Sequence, residues 1–192
     1  MFIKDWKKEI FTIPNLLSLF RLLLIPVYVI IYLNADKDLD YYTAGAILAA
    51  SCLTDMVDGK IARHFNMISN LGKVLDPLAD KFTQLAITIC LSIRYPVLKY
   101  VLLLFLIKEF TQLFIAYAKL RKGLVLPGAI LAGKVCTTVL FVSLILLVLM
   151  PSPSMTIVNA IAWIDTVFLA YTFIAYIFAF FGKHSKMQKI ED

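Results

Sequence analysis

Asn15-Leu-Leu-Ser-Leu-Phe-Arg21-Leu-Leu-Leu-Ile-Pro26-Val-Tyr-Val-Ile-Ile-Tyr-Leu33 carries a single charge over its whole length. A helix needs about 20 mainly apolar residues to cross a bilayer, so this stretch decides the solvent of the fold: it reads as a membrane span. The residues before it, Met1-Phe-Ile-Lys4 onward, have basic character, but the apolar run that follows lacks a small-residue cleavage site. It is therefore expected to be a retained first span rather than a signal peptide.

Five further stretches downstream are long enough to cross: Tyr41–Ala62, Leu75–Arg94, Pro96–Leu120, Pro127–Met150 and Thr156–Phe181. Turn-forming residues separate them, as in Asn34-Ala-Asp-Lys-Asp-Leu-Asp40, Tyr95-Pro96, Arg121-Lys-Gly123 and Pro151-Ser-Pro-Ser154. Composition agrees: 61% of the 192 residues are hydrophobic and only 17% charged, against about half apolar in soluble domains. A mean hydropathy of +0.84 leaves too little polar surface to cover a water-soluble core. The expected fold class is all-α, an integral membrane bundle of six transmembrane helices.

Three cysteines (Cys52, Cys90, Cys136) lie in apolar runs without CxxC spacing, and the only histidines are His64 and His184. That excludes a disulfide framework and a histidine-rich metal centre. Residues 2–12 alternate Phe2, Trp6, Ile10 and Phe11 with Lys4, Lys7 and Lys8, the pattern of a short amphipathic helix lying in the interface. The expected organisation is an interfacial segment over 1–12, a six-helix domain over 13–182 and a basic tail over 183–192.

A net charge of +6 in so apolar a chain reads as orientation and anionic lipid contact, not nucleic acid. With six spans, twelve basic residues fall on one side: Lys4, Lys7, Lys8, Lys60, Arg63, Lys73, Lys119, Arg121, Lys122, Lys183, Lys186 and Lys189. Only Lys37, Arg94 and Lys99 fall on the other. The positive-inside rule then places both termini in the cytoplasm.

Charges inside spans are costly and mark function by default. Asp55 and Asp58 share a face near the cytoplasmic end of the second span, and Asp76 and Asp80 open the third on the same side. Four neighbouring carboxylates need cations to remain ionised together. Oxygen-only donors select a hard ion, Mg²⁺ or Mn²⁺, rather than zinc. Gly59 and Ala62 leave a notch beside the carboxylates, Arg63 adds a cation suited to phosphate, and Gly72 lets the chain turn. The set describes a site for a diphosphate.

The run Asp55-Met-Val-Asp58-Gly59-Lys-Ile-Ala62-Arg63, eight residues, then Gly72-Lys-Val-Leu-Asp76-Pro-Leu-Ala-Asp80 resembles the signature of the CDP-alcohol phosphatidyltransferases, with all eight fixed positions present. Ile13-Pro14-Asn15 through Arg21 with Pro26, and Gly133-Lys134-Val135-Cys136-Thr137-Thr138, extend the resemblance over most of the chain. It implies that Asp55, Asp58 and Asp76 ligate a pair of divalent ions, with Asp80 at the second ion and also the general base. Asp55, Asp58, Gly59, Ala62, Arg63 and Gly72 would form the cytidine diphosphate pocket for CDP-diacylglycerol. A homodimer in a bacterial inner membrane, with the site on the cytoplasmic face, is implied as well.

The flanking motifs are most similar to phosphatidylglycerophosphate synthases, which use glycerol 3-phosphate; Arg21, Lys108 and Lys134 are the cations available for such an anionic acceptor. One departure favours a second reading. Those synthases usually carry Arg-Glu in the fourth span with another Arg further on, where this chain has Lys108-Glu109 and Tyr117. Lysine is not an equivalent phosphate fork, which brings in cardiolipin synthase, with phosphatidylglycerol as acceptor. Inositol phosphate is a third acceptor. A small ion-coupled transporter would place its charges near the midplane and show related halves, and neither is present in the sequence.

Overall fold

The computed structural model describes residues 12–64, 72–121 and 131–181. They form six helices: α1 Ile13–Leu33, α2 Asp38–His64, α3 Gly72–Arg94, α4 Leu98–Leu120, α5 Leu131–Val148 and α6 Met155–Phe181. No strand occurs among the described residues. A helix occupies most of each of the six expected segments, the fifth from Leu131 onward because 127–130 lie outside the described residues. The interfacial helix expected over 1–12 and the tail over 183–192 lie outside the described residues, apart from Thr12.

Among the described residues, three helices are long and apolar enough to cross a membrane, over Asn15–Leu33, Leu98–Ala118 and Met155–Phe178, and Gly133–Val148 is a shorter apolar helix. The outward surface is that of a lipid-facing chain: Leu23, Phe114, Trp163 and Phe178 are each 67–72% exposed. Polar groups turn inward instead, with Asn15, Ser18, Arg21, Thr83, Thr88, Lys108, Asp165 and Thr172 all buried. Hydrocarbon offers no hydrogen bonds, which is why the polar groups gather inside.

Local chemistry sets the helix ends. Thr12 is extended ahead of α1 and Pro14 sits in its first turn, where the missing N–H would have had no partner in the helix. At the other end the Asn34 side-chain amide donates to the Ile30 carbonyl at 2.7 Å. Asp40 caps the start of α2 by accepting the backbone N–H groups of Lys37 at 3.0 Å and Asp36 at 3.1 Å. Ser154 stands ahead of α6 and accepts the Ile157 N–H at 3.4 Å. Pro26 interrupts α1 internally without ending it.

The helices divide into two compact units, each with its own core. The first holds α1, α2 and α3 to Leu91, with Ile145–Ser152. Its α1 packs along α2, and Tyr28, Leu48, Ala79, Ile87 and Leu147 are buried in it. The Tyr32 ring lies 5.6 Å from that of Tyr28 at a 31° tilt and meets the Tyr41 ring edge-on at 5.6 Å. A Cβ at Gly45 would collide with the Leu149 side chain, so glycine permits that approach. In the second unit α4 packs against α6, around Val101, Phe105, Leu140, Leu144, Val158 and Leu169. There a Cβ at Gly133 would lie 2.5 Å from the Tyr176 hydroxyl oxygen.

Candidate active site

The acidic candidates all belong to the first unit. Asp55, Asp58, Gly59, Ala62 and Arg63 are carried by the last three turns of α2; their side chains lie outside the described residues. The 3-residue interval between Asp55 and Asp58 sets them on one helix face. α3 begins at Gly72, which is buried, and brings Asp76 and Asp80 to successive turns of one face.

Both α3 carboxylates are held by α1. The Ser18 hydroxyl donates to Asp76 Oδ1, and Arg21 Nη1 donates to Asp80 Oδ1 at 2.6 Å. Ser18 and Arg21 are one turn apart on α1, as Asp76 and Asp80 are on α3, so two contacts form side by side in matching register. The inward face of α1 is a polar stripe of Asn15, Ser18 and Arg21 that gives way to Tyr28 and Tyr32 deeper along the helix. Arg21 is 2% exposed, whereas the Asp80 side chain is 51% exposed. The carboxylate that the buried guanidinium anchors is thus open to a ligand.

The donor set fits a hard divalent ion. Asp76 and Asp80 supply carboxylate oxygens on adjacent turns, and a carboxylate has about four lone-pair positions, so a hydrogen bond from α1 does not exclude a metal ion. Among the described residues no three His, Cys, Asp or Glu side chains converge; Asp55 and Asp58 stand outside that comparison.

The acceptor candidates belong to different units. Arg21 lies with the carboxylates, while Lys108 and Lys134 belong to the second unit. Lys108 is buried and gives its ammonium to Glu109 Oε1 at 2.6 Å. Lys134 is exposed, and its backbone carbonyl accepts the hydroxyls of Thr137 at 2.9 Å and Thr138 at 3.0 Å. Asp165 is buried and accepts the Ser143 hydroxyl at 2.7 Å, a hydrogen-bonded contact between α5 and α6 within the second unit. Tyr117 is exposed, with the Arg121 guanidinium 5.6 Å over its ring. Ser18 is a residue that sequence reasoning did not single out; only its contact with Asp76 in the structure reveals it.

A family model described as CDP-alcohol phosphatidyltransferase matches residues 11–179. A probable phosphatidylglycerophosphate synthase of Mycobacterium tuberculosis is 32% identical over 145 residues, covering 74% of this chain and 68% of that one. The CDP-diacylglycerol–glycerol-3-phosphate 3-phosphatidyltransferase of Bacillus subtilis is 41% identical over 92 residues, 42% of this chain and 48% of its own length. A cardiolipin synthase (CMP-forming)/mitochondrial hydrolase fusion protein of Schizosaccharomyces pombe is 45% identical over 89 residues, 46% of this chain but 14% of that protein. The matched segment thus spans less than two thirds of the second and third of these relatives.

Proposed function

The chain belongs to the CDP-alcohol phosphatidyltransferase family, and we propose that it transfers the phosphatidyl group of CDP-diacylglycerol to glycerol 3-phosphate with release of CMP. The observation that carries this reading is the pair Asp76 and Asp80, pinned from α1 at successive turns of α3 with Asp80 half exposed. Asp55, Asp58, Asp76 and Asp80 would hold two divalent ions, Mg²⁺ or Mn²⁺. When bound, these ions neutralise the diphosphate and the charge that develops on departing CMP.

The chain's own residues position and deprotonate. Gly59, Ala62 and Gly72 let the cytidine diphosphate approach the helices, and Arg63 pairs with a phosphate oxygen. Asp80 accepts the proton of the acceptor hydroxyl as its oxygen bonds to the phosphatidyl phosphorus. The phosphorus–oxygen bond to CMP breaks, and CMP leaves with that electron pair. Positioning and charge neutralisation carry most of such a reaction. Arg21, in the same unit as the carboxylates, is the cation assigned to the acceptor side.

In this reading the six helices are six spans, residues 1–12 lie in the interface, and the protein is a homodimer of a bacterial inner membrane. Twelve basic residues against three support cytoplasmic termini and a cytoplasmic site. A second acceptor, phosphatidylglycerol, is favoured by one observation: the Lys108 ammonium is engaged by Glu109 at 2.6 Å, and Tyr117 supplies no cation further along α4.

Purified protein given CDP-diacylglycerol and Mg²⁺ should release CMP only when an acceptor is added, with glycerol 3-phosphate the best. A preference for phosphatidylglycerol would move the chain to the second acceptor. No CMP with either of these or with inositol phosphate would overturn the enzyme reading.

A further inference from the structure

Arg21 and Ser18 lie in a helix whose other buried residues are Asn15, Tyr28 and Tyr32, and neither is used for packing alone. Arg21 is 2% exposed and Ser18 is fully buried. A guanidinium stays charged in proteins, and a charge removed from solvent requires a partner. That partner is Asp80, at 2.6 Å. The asymmetry of the pair matters: the cation is fixed in the interior and the carboxylate reaches to the surface, so the helix α1 holds the carboxylate and not the reverse. Ser18 does the same for Asp76 one turn away. These contacts from α1 hold both members of the α3 carboxylate pair.

We propose that Ser18 and Arg21 are positioning residues: the Ser18 hydroxyl orients Asp76 for metal, and the Arg21 guanidinium orients Asp80 for metal and for the acceptor hydroxyl. The proposal rests on the phosphatidyltransfer reading and deepens it. Arg21 acts on the acceptor through Asp80, and Ser18 acquires a role that the sequence signature does not give it. Carboxylates that bind metal are commonly held by such outer partners, whose removal weakens metal binding by about 10- to 100-fold. A hydrogen bond serving only to join two membrane helices would have no reason to end on half-exposed Asp80.

The test uses the full chain, purified in detergent without substrate, with Mn²⁺ binding followed by electron paramagnetic resonance. Ser18→Ala should weaken Mn²⁺ binding about tenfold, and Ser18→Thr, which keeps a hydroxyl, should restore it. Arg21→Gln should lower kcat at saturating Mn²⁺ without raising KM for CDP-diacylglycerol, and Arg21→Lys should recover part of the loss. Wild-type Mn²⁺ affinity in Ser18→Ala together with wild-type turnover in Arg21→Gln would overturn the proposal. So would equal loss of the folded protein's thermal transition in all four variants, which would make the contacts purely structural. Absence of Mn²⁺ binding by the wild type would instead strike the phosphatidyltransfer reading itself.

Discussion

Asp80 has two demands on one side chain: it faces Arg21 on one oxygen and is open enough to meet metal and the acceptor hydroxyl. On the proposed reading, an Asp80→Asn variant keeps the shape and removes the charge, so it weakens the metal donor and abolishes the proton acceptor. General-base catalysis contributes on the order of 10²- to 10⁴-fold, and turnover should fall by at least that much. Binding of CDP-diacylglycerol, measured by titration, should be largely kept because Asp55, Asp58, Asp76 and Arg63 remain. Unchanged turnover would remove Asp80 as the base. The carboxylates were legible in the sequence because charges stand out in an apolar chain. Ser18 was not, and the reason is general. Thr83, Thr88, Thr111 and Thr172 each give their hydroxyl to the carbonyl one turn back in their own helix, the usual fate of a helical hydroxyl. Nothing in a single sequence marks Ser18 as one that reaches across to another helix.

At the scale of the element, apolar run length located all six helices, but their starts follow polar groups. The apolar stretch begins at Tyr41, whereas α2 begins at Asp38, because Asp40 accepts two backbone N–H groups and extends the helix outward. These hydrogen bonds, from Lys37 first and then Asp36, hold the Asp40 carboxyl below its ordinary value. A carboxyl whose pKa is lower when folded stabilises the fold above its unfolded value of about 3.9. That stabilisation is lost as pH falls through the folded value. The difference in melting temperature between wild type and Asp40→Ala should therefore be present at pH 6 and shrink below about pH 4. The same difference at both values would mean that the carboxylate's charge is irrelevant to the cap. The sequence carried hydropathy clearly and the capping contacts not at all, since Asp36, Asp38 and Asp40 are equivalent until the backbone turns.

For the whole molecule, the division into two units gives the proposed metal binding a location that activity alone cannot test. All four candidate ligands sit on α2 and α3 in the unit that buries Tyr28, Leu48 and Ile87, whereas α4, α6 and α5 as far as Leu144 pack about Phe105, Leu140 and Leu169. A ligand that binds only the folded state stabilises it by about 2.7 kcal/mol at a hundred times its dissociation constant. If four carboxylates share two ions, their mutual repulsion is removed where α2 and α3 carry them, and opening of those helices must release the ions. Mg²⁺ at that excess should slow amide exchange along α2 and α3 by up to about 100-fold, and a chelator should reverse it. α4 and α6 should change much less, because they contain none of the proposed ligands. Equal slowing over all six helices would show that the two cores open as one cooperative body, and slowing confined to α4 and α6 would put the metal in the wrong unit. Exchange is thus the measurement that ties the ion to particular helices, and it does so without any substrate present.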